Sequence, residues 1–330
     1  MERTPSIRVI GAGPAGSAAS LAALRSGAAV DLFEKSQFPR HKVCGEFLSP
    51  EVIPLLDSLA VLGDFNAAGP AVIRRLALRF PSSDKFCKLP EPAFGLSRYA
   101  FDELLFRNAV QKGARVNPEE ERVLGAPTVI AHGRKIPSSR GGRLFGFKAH
   151  FDGPVDDAIE LFFFDRCYVG LNAVEGGVTN VCGLGPEELL QRHRFDVDSV
   201  VNSSPKLAER LNPLRRKFRW LTVGPLVFEN RFRASFEPGH YPAGDALSFV
   251  DPFTGSGMLS AMVSGRLAGI AAAGGTAVDV YVKQCRRVLE RPFQVASLFR
   301  NLLANGWGER LAAFMPGSLL VSLTRPHRAV

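Results

Sequence analysis

The chemistry-bearing residues of this chain fall into a few short clusters. The densest is Phe38-Pro39-Arg40-His41-Lys42-Val43-Cys44-Gly45-Glu46. It sets a thiol and a carboxyl two residues apart, just after three basic or imidazole side chains. Two readings of Cys44 stand: a proton donor tuned by Arg40 and Lys42, or a packed thiol beside Gly45 that shapes the loop. Glu46 is a second proton-donor candidate. Lys148 and His150 alternate with Phe147, Ala149 and Phe151, so they share one face of a strand, which meets either substrate or solvent. Two glycine-rich segments complete the set. Gly11-Ala12-Gly13-Pro14-Ala15-Gly16 stands near the start, and Gly244-Asp245-Ala246 with Gly255-Ser256-Gly257-Met258 follows about 230 residues later. The six histidines are scattered, and neither His-Glu-x-x-His nor Gly-x-Ser-x-Gly occurs. Metal-assisted and serine hydrolysis therefore drop out.

The elements around the glycines give them meaning. Ile7 to Ile10 is a short β-branched strand, Ala15 to Arg25 an Ala-rich helix ended by Gly27, and Ala29 to Phe33 a second strand leading to Glu34. This is a βαβ unit for a dinucleotide. Gly11 permits the tight turn, Gly13 lets the backbone approach a pyrophosphate, and Gly16 lets the helix close on the sheet. Pro14 and Ala15 open the helix, whose N-terminal amides face the phosphates. Glu34, 18 residues after Gly16, suits the free 2′-hydroxyl of an adenosine ribose, and Lys35 follows it. In the second segment, Tyr241 to Ala243 ends a strand at Gly244, and a small-residue helix runs from Met258 to Ala273. Asp245 is placed to bond a ribityl hydroxyl, with Asp251-Pro252 next in line. Gly255 to Met258 offer amides to a carbonyl edge, where a helix dipole stabilises an anionic reduced ring. Together the two halves point to a flavin dinucleotide, FAD.

With these motifs the chain resembles the FAD-dependent oxidoreductases of the para-hydroxybenzoate hydroxylase fold. Within them it is most similar to the geranylgeranyl reductase-like branch, which is related to flavin monooxygenases and halogenases. The likeness covers most of the chain and also takes in Phe38 to Pro50, Leu96-Ser97-Arg98 with Phe101 to Leu105, Gly146 to Phe151 and Tyr168 to Asn172. It implies an α/β fold: a Rossmann-like FAD-binding domain with an antiparallel β-sheet substrate domain inserted. It implies that Arg98 reaches the FAD phosphates, and that the loop Arg40, Val43, Cys44, Gly45, Glu46 lies beside the isoalloxazine ring. Arg98 opens a helix (Tyr99 to Lys112), and its guanidinium suits a bidentate phosphate contact.

The nucleotide-binding part is expected in three pieces, residues 1–75, 96–135 and 233–290. Residues 76–95 and 136–232 form the sheet, and 291–330 a C-terminal helical segment. A hairpin is expected at Leu76–Phe80 and Lys85–Leu89, then strands at Leu144–Phe151, Ala158–Phe164, Cys167–Ala173, Val178–Leu184 and Leu221–Phe228. The family's Asp-Gly element reads His132-Gly133, and the stretch before it, Asn117 to Pro127, is short, so a hairpin is trimmed there.

Composition limits the rest. The 330 residues carry a net charge of +9 but no long basic run; the cluster Arg215 to Arg219 reads as a solvated face, and nucleic acid is not an expected partner. Five widely spaced cysteines and no leader sequence indicate a reducing compartment, the cytoplasm. No apolar run spans a membrane, although the apolar tail Leu311–Leu323 leaves room for peripheral contact. Phe is abundant, at 25 residues, which fills a core or lines an apolar cavity. Three functions follow. The first is reduction or dehydrogenation of a carbon–carbon bond in an apolar, prenyl or polyketide-like small molecule, with NAD(P)H or a reduced protein as electron donor. The second is a monooxygenase that hydroxylates or epoxidises through a flavin C4a-peroxide. The third is an FAD-binding electron-transfer module without its own substrate.

Overall fold

A computed structural model describes residues 5–118, 126–134, 143–249 and 255–304, with side chains described continuously to residue 290 in the last segment. The chain opens with β1 (Ser6–Ile10), α1 (Pro14–Arg25), β2 (Ala29–Phe33), β3 (Phe47–Leu48), α2 (Val52–Ser58) and α3 (Leu62–Ala67). It continues through β4 (Ala71–Arg79), β5 (Asp84–Gly95), α4 (Arg98–Gln111), β6 (Arg115–Asn117) and β7 (Thr128–Ile130). Then come β8 (Leu144–Asp152), β9 (Ala158–Phe164), β10 (Cys167–Val174), β11 (Val178–Pro186), α5 (Glu187–Arg192), α6 (Val197–Asn202) and α7 (Pro205–Leu211). Last are β12 (Arg215–Arg216), β13 (Leu221–Leu226), β14 (Glu229–Asn230), β15 (His240–Pro242), β16 (Ser248–Phe249), α8 (Gly257–Ala273) and α9 (Val278–Ala304).

Two sheets carry this order. A five-stranded parallel sheet runs β15-β7-β1-β2-β6. The chain order reverses at β1, so the crevice beyond the carboxyl end of β1 is where such sheets take ligands. α1 lies along this sheet with Ala15, Ala18, Ala19 and Ala22 all buried, and α8 packs on it. The approach is close enough to need glycine: a Cβ on Gly265 would stand 2.0 Å from the Ala15 carbonyl oxygen. α9 is tied to β15 and α8 by the buried Tyr281, whose hydroxyl donates to Pro242 O at 2.6 Å and Ser264 O at 3.2 Å.

The second sheet runs β12-β8-β11-β10-β9-β4-β5-β3, with β13 also on β8. It is mixed rather than antiparallel, because β4 and β9 pair in parallel. The hairpin and the later strands are separated by a long excursion through the other sheet, which brings the chain back in the same direction. The sheet also takes in Phe47–Leu48 and the start of β4 at Ala71, residues assigned by sequence to the nucleotide-binding part. One face packs on α5, α6 and α7 through Phe147, Phe151, Phe162, Val181, Val200 and Leu207. These phenylalanines fill a core, so they give no support to an apolar substrate cavity. The opposite face is polar, with Lys148 and His150 on β8 opposite Cys182 and Asn180 on β11. The Arg215–Arg219 segment is solvated, as its charge run implies: Arg215 and Lys217 pair with Asp152, and Arg216 with Asp198.

Candidate cofactor and active site

The first glycine segment folds as its spacing implies. Gly11 adopts φ +94°, and a Cβ there would stand 2.5 Å from Ala131 O. A Cβ on Gly16 would meet Gly11 O at 1.6 Å, so the first turn of α1 closes directly on the loop. Nothing lies within 4 Å of where a Cβ on Gly13 would project. No side chain caps α1, and Pro14 at its start has no N–H to satisfy. The result is an open, positively polarised helix end at the sheet crevice. Beside it, Glu34 is saturated. Its Oε2 accepts from Ala12 N at 2.9 Å, its Oε1 from Ser36 N at 2.8 Å, and Arg40 donates to both at 3.0 and 3.2 Å. Burial pushes its carboxyl up, but Arg40 and the two amides win and hold it below the usual range.

The Arg40–Glu46 loop is wedged between α4 and the polar sheet face. Phe38 stacks on Phe106 of α4 with ring centroids 4.7 Å apart, and the Arg40 guanidinium lies over Phe38 at 4.5 Å. Asn180 Nδ2 donates to Cys44 O at 3.2 Å and Gly45 O at 2.9 Å. Glu46 then turns inward at φ +53°, a left-handed conformation that a non-glycine residue keeps only where its surroundings enforce it. Its side chain is fully buried: Oε1 accepts from Arg98 N at 2.6 Å and from Lys148 Nζ, and Oε2 from His150 Nε2 at 2.6 Å. Desolvation pushes the Glu46 carboxyl up, and the bonds to His150 and Lys148 overcome it and hold it low. Glu46 is thus a buried carboxylate, not a poised proton donor. Lys148 and His150 are buried on this face rather than turned to solvent, and both bond Glu46.

Arg98 opens α4 with Ser97 as its cap, Ser97 Oγ accepting from Ala100 N at 3.1 Å. Glu175 accepts from Ser97 N at 2.7 Å and also from the Ser97 hydroxyl. The Arg98 guanidinium donates through Nε and one terminal nitrogen to Asp102, both at 2.6 Å, and contacts the Cys44 sulfur. Burial opposes its charge, and Asp102 more than compensates. A guanidinium has five N–H donors, so some stay available for a phosphate. Cys44 Sγ also accepts from Glu46 N at 3.4 Å. The Lys42 side chain reaches solvent, with no ion pair among the described residues; partial desolvation by the protein around it, then the like charges of Arg40 and Arg98, lower its pKa. Lys35 is exposed and Val43 half-buried.

In the second segment, β15 leads through a 3-10 turn at Gly244–Ala246 toward α8. A small crevice beside this turn is lined by Gly244, Asp245, Ser248, Gly257, Ser260 and Phe232 among others. Asp245 lines this crevice and keeps a solvent-exposed side chain among closely packed protein atoms. That desolvation raises its carboxyl, against the attraction of Arg98 and Arg134. Ser256 precedes α8 without a side-chain cap bond, and nothing lies within 4 Å of a Cβ on Gly257. A Cβ on Gly255, at φ +64°, would meet the Phe47 ring at 2.6 Å. Pro252 lies outside the described residues, as do residues 119–125 of the shortened stretch and the apolar tail 311–323. His132 Nδ1 lies 2.8 Å from Gly133 O. Two uncapped helix ends, a saturated carboxylate beside the first, and basic residues between them fit an anionic dinucleotide such as FAD.

Solved structures with this arrangement are known. The flavin-dependent brominase Bmp2, as a triple mutant, superposes with a TM-score of 0.80 at 20% identity, covering 96% of this chain and 93% of that one. The fold is that of the FAD-dependent halogenases and reductases. A geranylgeranyl bacteriochlorophyll reductase-like protein from Thermoplasma acidophilum superposes with a TM-score of 0.71 at 17% identity, covering 97% and 92%. In sequence, the chain is 34% identical over 131 residues to a menaquinone reductase of Mycobacterium tuberculosis. That match spans 38% of this chain and 30% of the relative. No protein-family model matches the chain. Among the described residues, no helix is long and apolar enough to cross a membrane, and no cluster of side chains has metal-ligand spacing.

Sequence reasoning singled out Lys148 and His150 without their partner Glu46, and it missed the roles of Glu175, Asn180 and Asp102. A lysine and a histidine on the inner face of a strand were the available signal, since neither is buried without a partner.

Proposed function

We propose that the chain is an FAD-dependent oxidoreductase that reduces or dehydrogenates a carbon–carbon bond in an apolar, prenyl or polyketide-like substrate. The observation that carries this is the clamped loop Arg40–Glu46, set between the α4 N-terminus and a polar sheet face at the mouth of a dinucleotide crevice. Bound there, FAD supplies two-electron chemistry to a carbon–carbon bond. The α1 N-terminus, with Gly11, Gly13, Pro14, Ala15 and Gly16, holds the pyrophosphate, Glu34 the ribose and Asp245 the ribityl chain. Arg98 and Lys42 neutralise phosphate charge. Gly255 to Met258 face the ring carbonyls, and Pro252 belongs to the same segment. Cys44 stands on the loop beside the ring and passes the proton that accompanies electron transfer. Asn180 fixes its carbonyl, Glu46 N and Arg98 its sulfur. NAD(P)H or a reduced protein serves as electron donor.

Monooxygenation by a flavin C4a-peroxide is the second reading, which the same fold supports. Stopped-flow spectroscopy separates the two. The FAD-loaded chain is reduced anaerobically and then mixed either with oxygen or with a prenylated quinone. Rapid reoxidation by the quinone, with no transient absorbance on mixing with oxygen, supports the reductase; the transient alone supports the monooxygenase. A purified chain that neither carries nor takes up FAD refutes both.

A further inference from the structure

We infer that Cys44 and Cys182 form an oxidative modification site, at which hydrogen peroxide joins the two sulfurs in a disulfide that staples the Arg40–Glu46 loop to the mixed sheet. This goes beyond the reading of Cys44 as a proton-passing group, because it needs only the two thiols and the oxidant.

The fold brings the two residues together from distant parts of the chain. Asn180 of β11 grips the loop, its Nδ2 donating to Cys44 O at 3.2 Å and Gly45 O at 2.9 Å. Side chains two apart on a strand share a face, so Cys182 follows Asn180 on the face that meets the loop, beside Lys148 of β8. There the backbone N–H of Cys44 donates to the Cys182 sulfur, and the two thiols lie close enough to feel each other's charge. The loop backbone is thus already seated on the sheet thiol. Turning the Cys44 side chain about its Cα–Cβ bond is the movement that sets sulfur against sulfur. The other cysteines are dispersed: Cys87 on β5, Cys167 at the start of β10 and Cys285 in α9. All five are free.

The two sulfurs suit different steps. Cys44 is half-buried, and its sulfur faces two donors, the Glu46 N–H at 3.4 Å and the Arg98 guanidinium. The form that attacks peroxide is the thiolate, and these donors hold a charged sulfur in place. Cys182 is also half-buried; it stands opposite Gly170 of β10, where no side chain rises beside it. The protein packed around it pushes its thiol up, and the neighbouring Cys44 and Glu46 add to this against Lys148. Cys182 therefore stays a thiol until Cys44 has reacted. In the first step the Cys44 sulfur attacks peroxide. An S–O bond forms, the O–O bond breaks, and the departing oxygen leaves as water with the Cys44 proton. In the second, the Cys182 S–H bond breaks and the S–S bond forms, and the hydroxyl on Cys44 leaves as water with that proton. Two electrons pass from the thiols to peroxide. Reduced flavins release this oxidant when they meet oxygen. The bond draws the Cys44 sulfur away from Arg98 and the Glu46 amide, and an external dithiol restores both thiols.

The test treats the full chain, loaded with FAD, with a modest excess of hydrogen peroxide and maps its peptides by mass spectrometry without reductant. The wild type is expected to yield one peptide pair joined through Cys44 and Cys182. In denaturant it should have lost two of its five titratable thiols and should regain both on treatment with dithiothreitol. In Cys182→Ala the Cys44 sulfenic acid has no thiol to resolve it; Cys44 is expected as sulfinic acid, which dithiothreitol does not restore. Cys182→Ser serves as a second variant should the first fail to fold. Five free thiols after peroxide, Cys44 as sulfinic acid in the wild type, or a disulfide from Cys44 to any other cysteine overturns the proposal. A joined pair in a chain whose reduced flavin is not reoxidised by the prenylated quinone supports the disulfide and sinks only the proposed reaction.

Discussion

Replacing Lys148 with Met tests the buried cluster most directly. Glu46 and Lys148 are both fully buried, so the substitution leaves a carboxylate with no cation at contact distance. Removing one partner of such a pair costs about 3–5 kcal/mol. In the wild type, burial pushes the Glu46 carboxyl up, but His150 and Lys148 overcome it and hold it below the usual range. Its contribution to stability is complete above the unfolded carboxyl value and is lost as pH falls through the folded one. The cost of the substitution should therefore be largest at neutral pH and shrink toward acid, where the uncompensated carboxylate of the variant takes up a proton. Urea denaturation of the FAD-loaded protein at about pH 7 and about pH 5 measures both quantities. The double substitution Lys148→Met with Glu46→Gln removes both charges and should recover much of the loss. A single-variant loss below about 1 kcal/mol at neutral pH, or an equal loss at both pH values, refutes the picture of a buried carboxylate that depends on Lys148.

Four further outcomes follow from the same geometry. Gly16→Ala forces the first turn of α1 away from Gly11 O, now 1.6 Å from the Cβ position; it should cost about 1–3 kcal/mol and abolish FAD uptake measured by flavin fluorescence. Arg98→Ala strands the buried Asp102 carboxylate and should cost about 3–5 kcal/mol in urea denaturation, with Arg98→Lys restoring only part because the two-point contact is lost. Iodoacetamide at pH 8 should label half-buried Cys44 ahead of buried Cys167 and Cys285 in the native protein, by peptide mass spectrometry; burial raises both of the latter thiols, Cys285 to about 12, and FAD should protect Cys44. Tyr281→Phe leaves two buried carbonyls without their donor and should cost about 1–3 kcal/mol in thermal unfolding, loosening α9 from β15 and α8.

The parts of the fold legible in the sequence are those set by local rules. β1, α1 and β2 follow from a β-branched run, an Ala-rich stretch with Gly27 behind it, and a strand ending in an acid; their pairing follows from short right-handed connections. The strands from β8 to β11 follow from turn residues between apolar runs. The parallel pairing of β4 with β9 has no local signature, because Arg75 and Ala158 meet only through the sheet's long-range order. The Glu46 cluster is hidden for the same reason: its partners lie 102 and 104 residues away in the chain. Alternation placed Lys148 and His150 together on one face without saying what that face meets. The physical constraint was nonetheless available. A lysine in the middle of a strand flanked by Phe147 and Ala149 is either exposed or paired, and the helices on the opposite face make burial on both sides the outcome. Once buried, it needs an acid, and an acid at a left-handed turn two residues past the loop cysteine supplies one. The pairing has a consequence for function. One carboxylate joins the loop, the α4 N-terminus and the mixed sheet, so a change on the sheet face shifts Cys44 and Arg98 together rather than either alone.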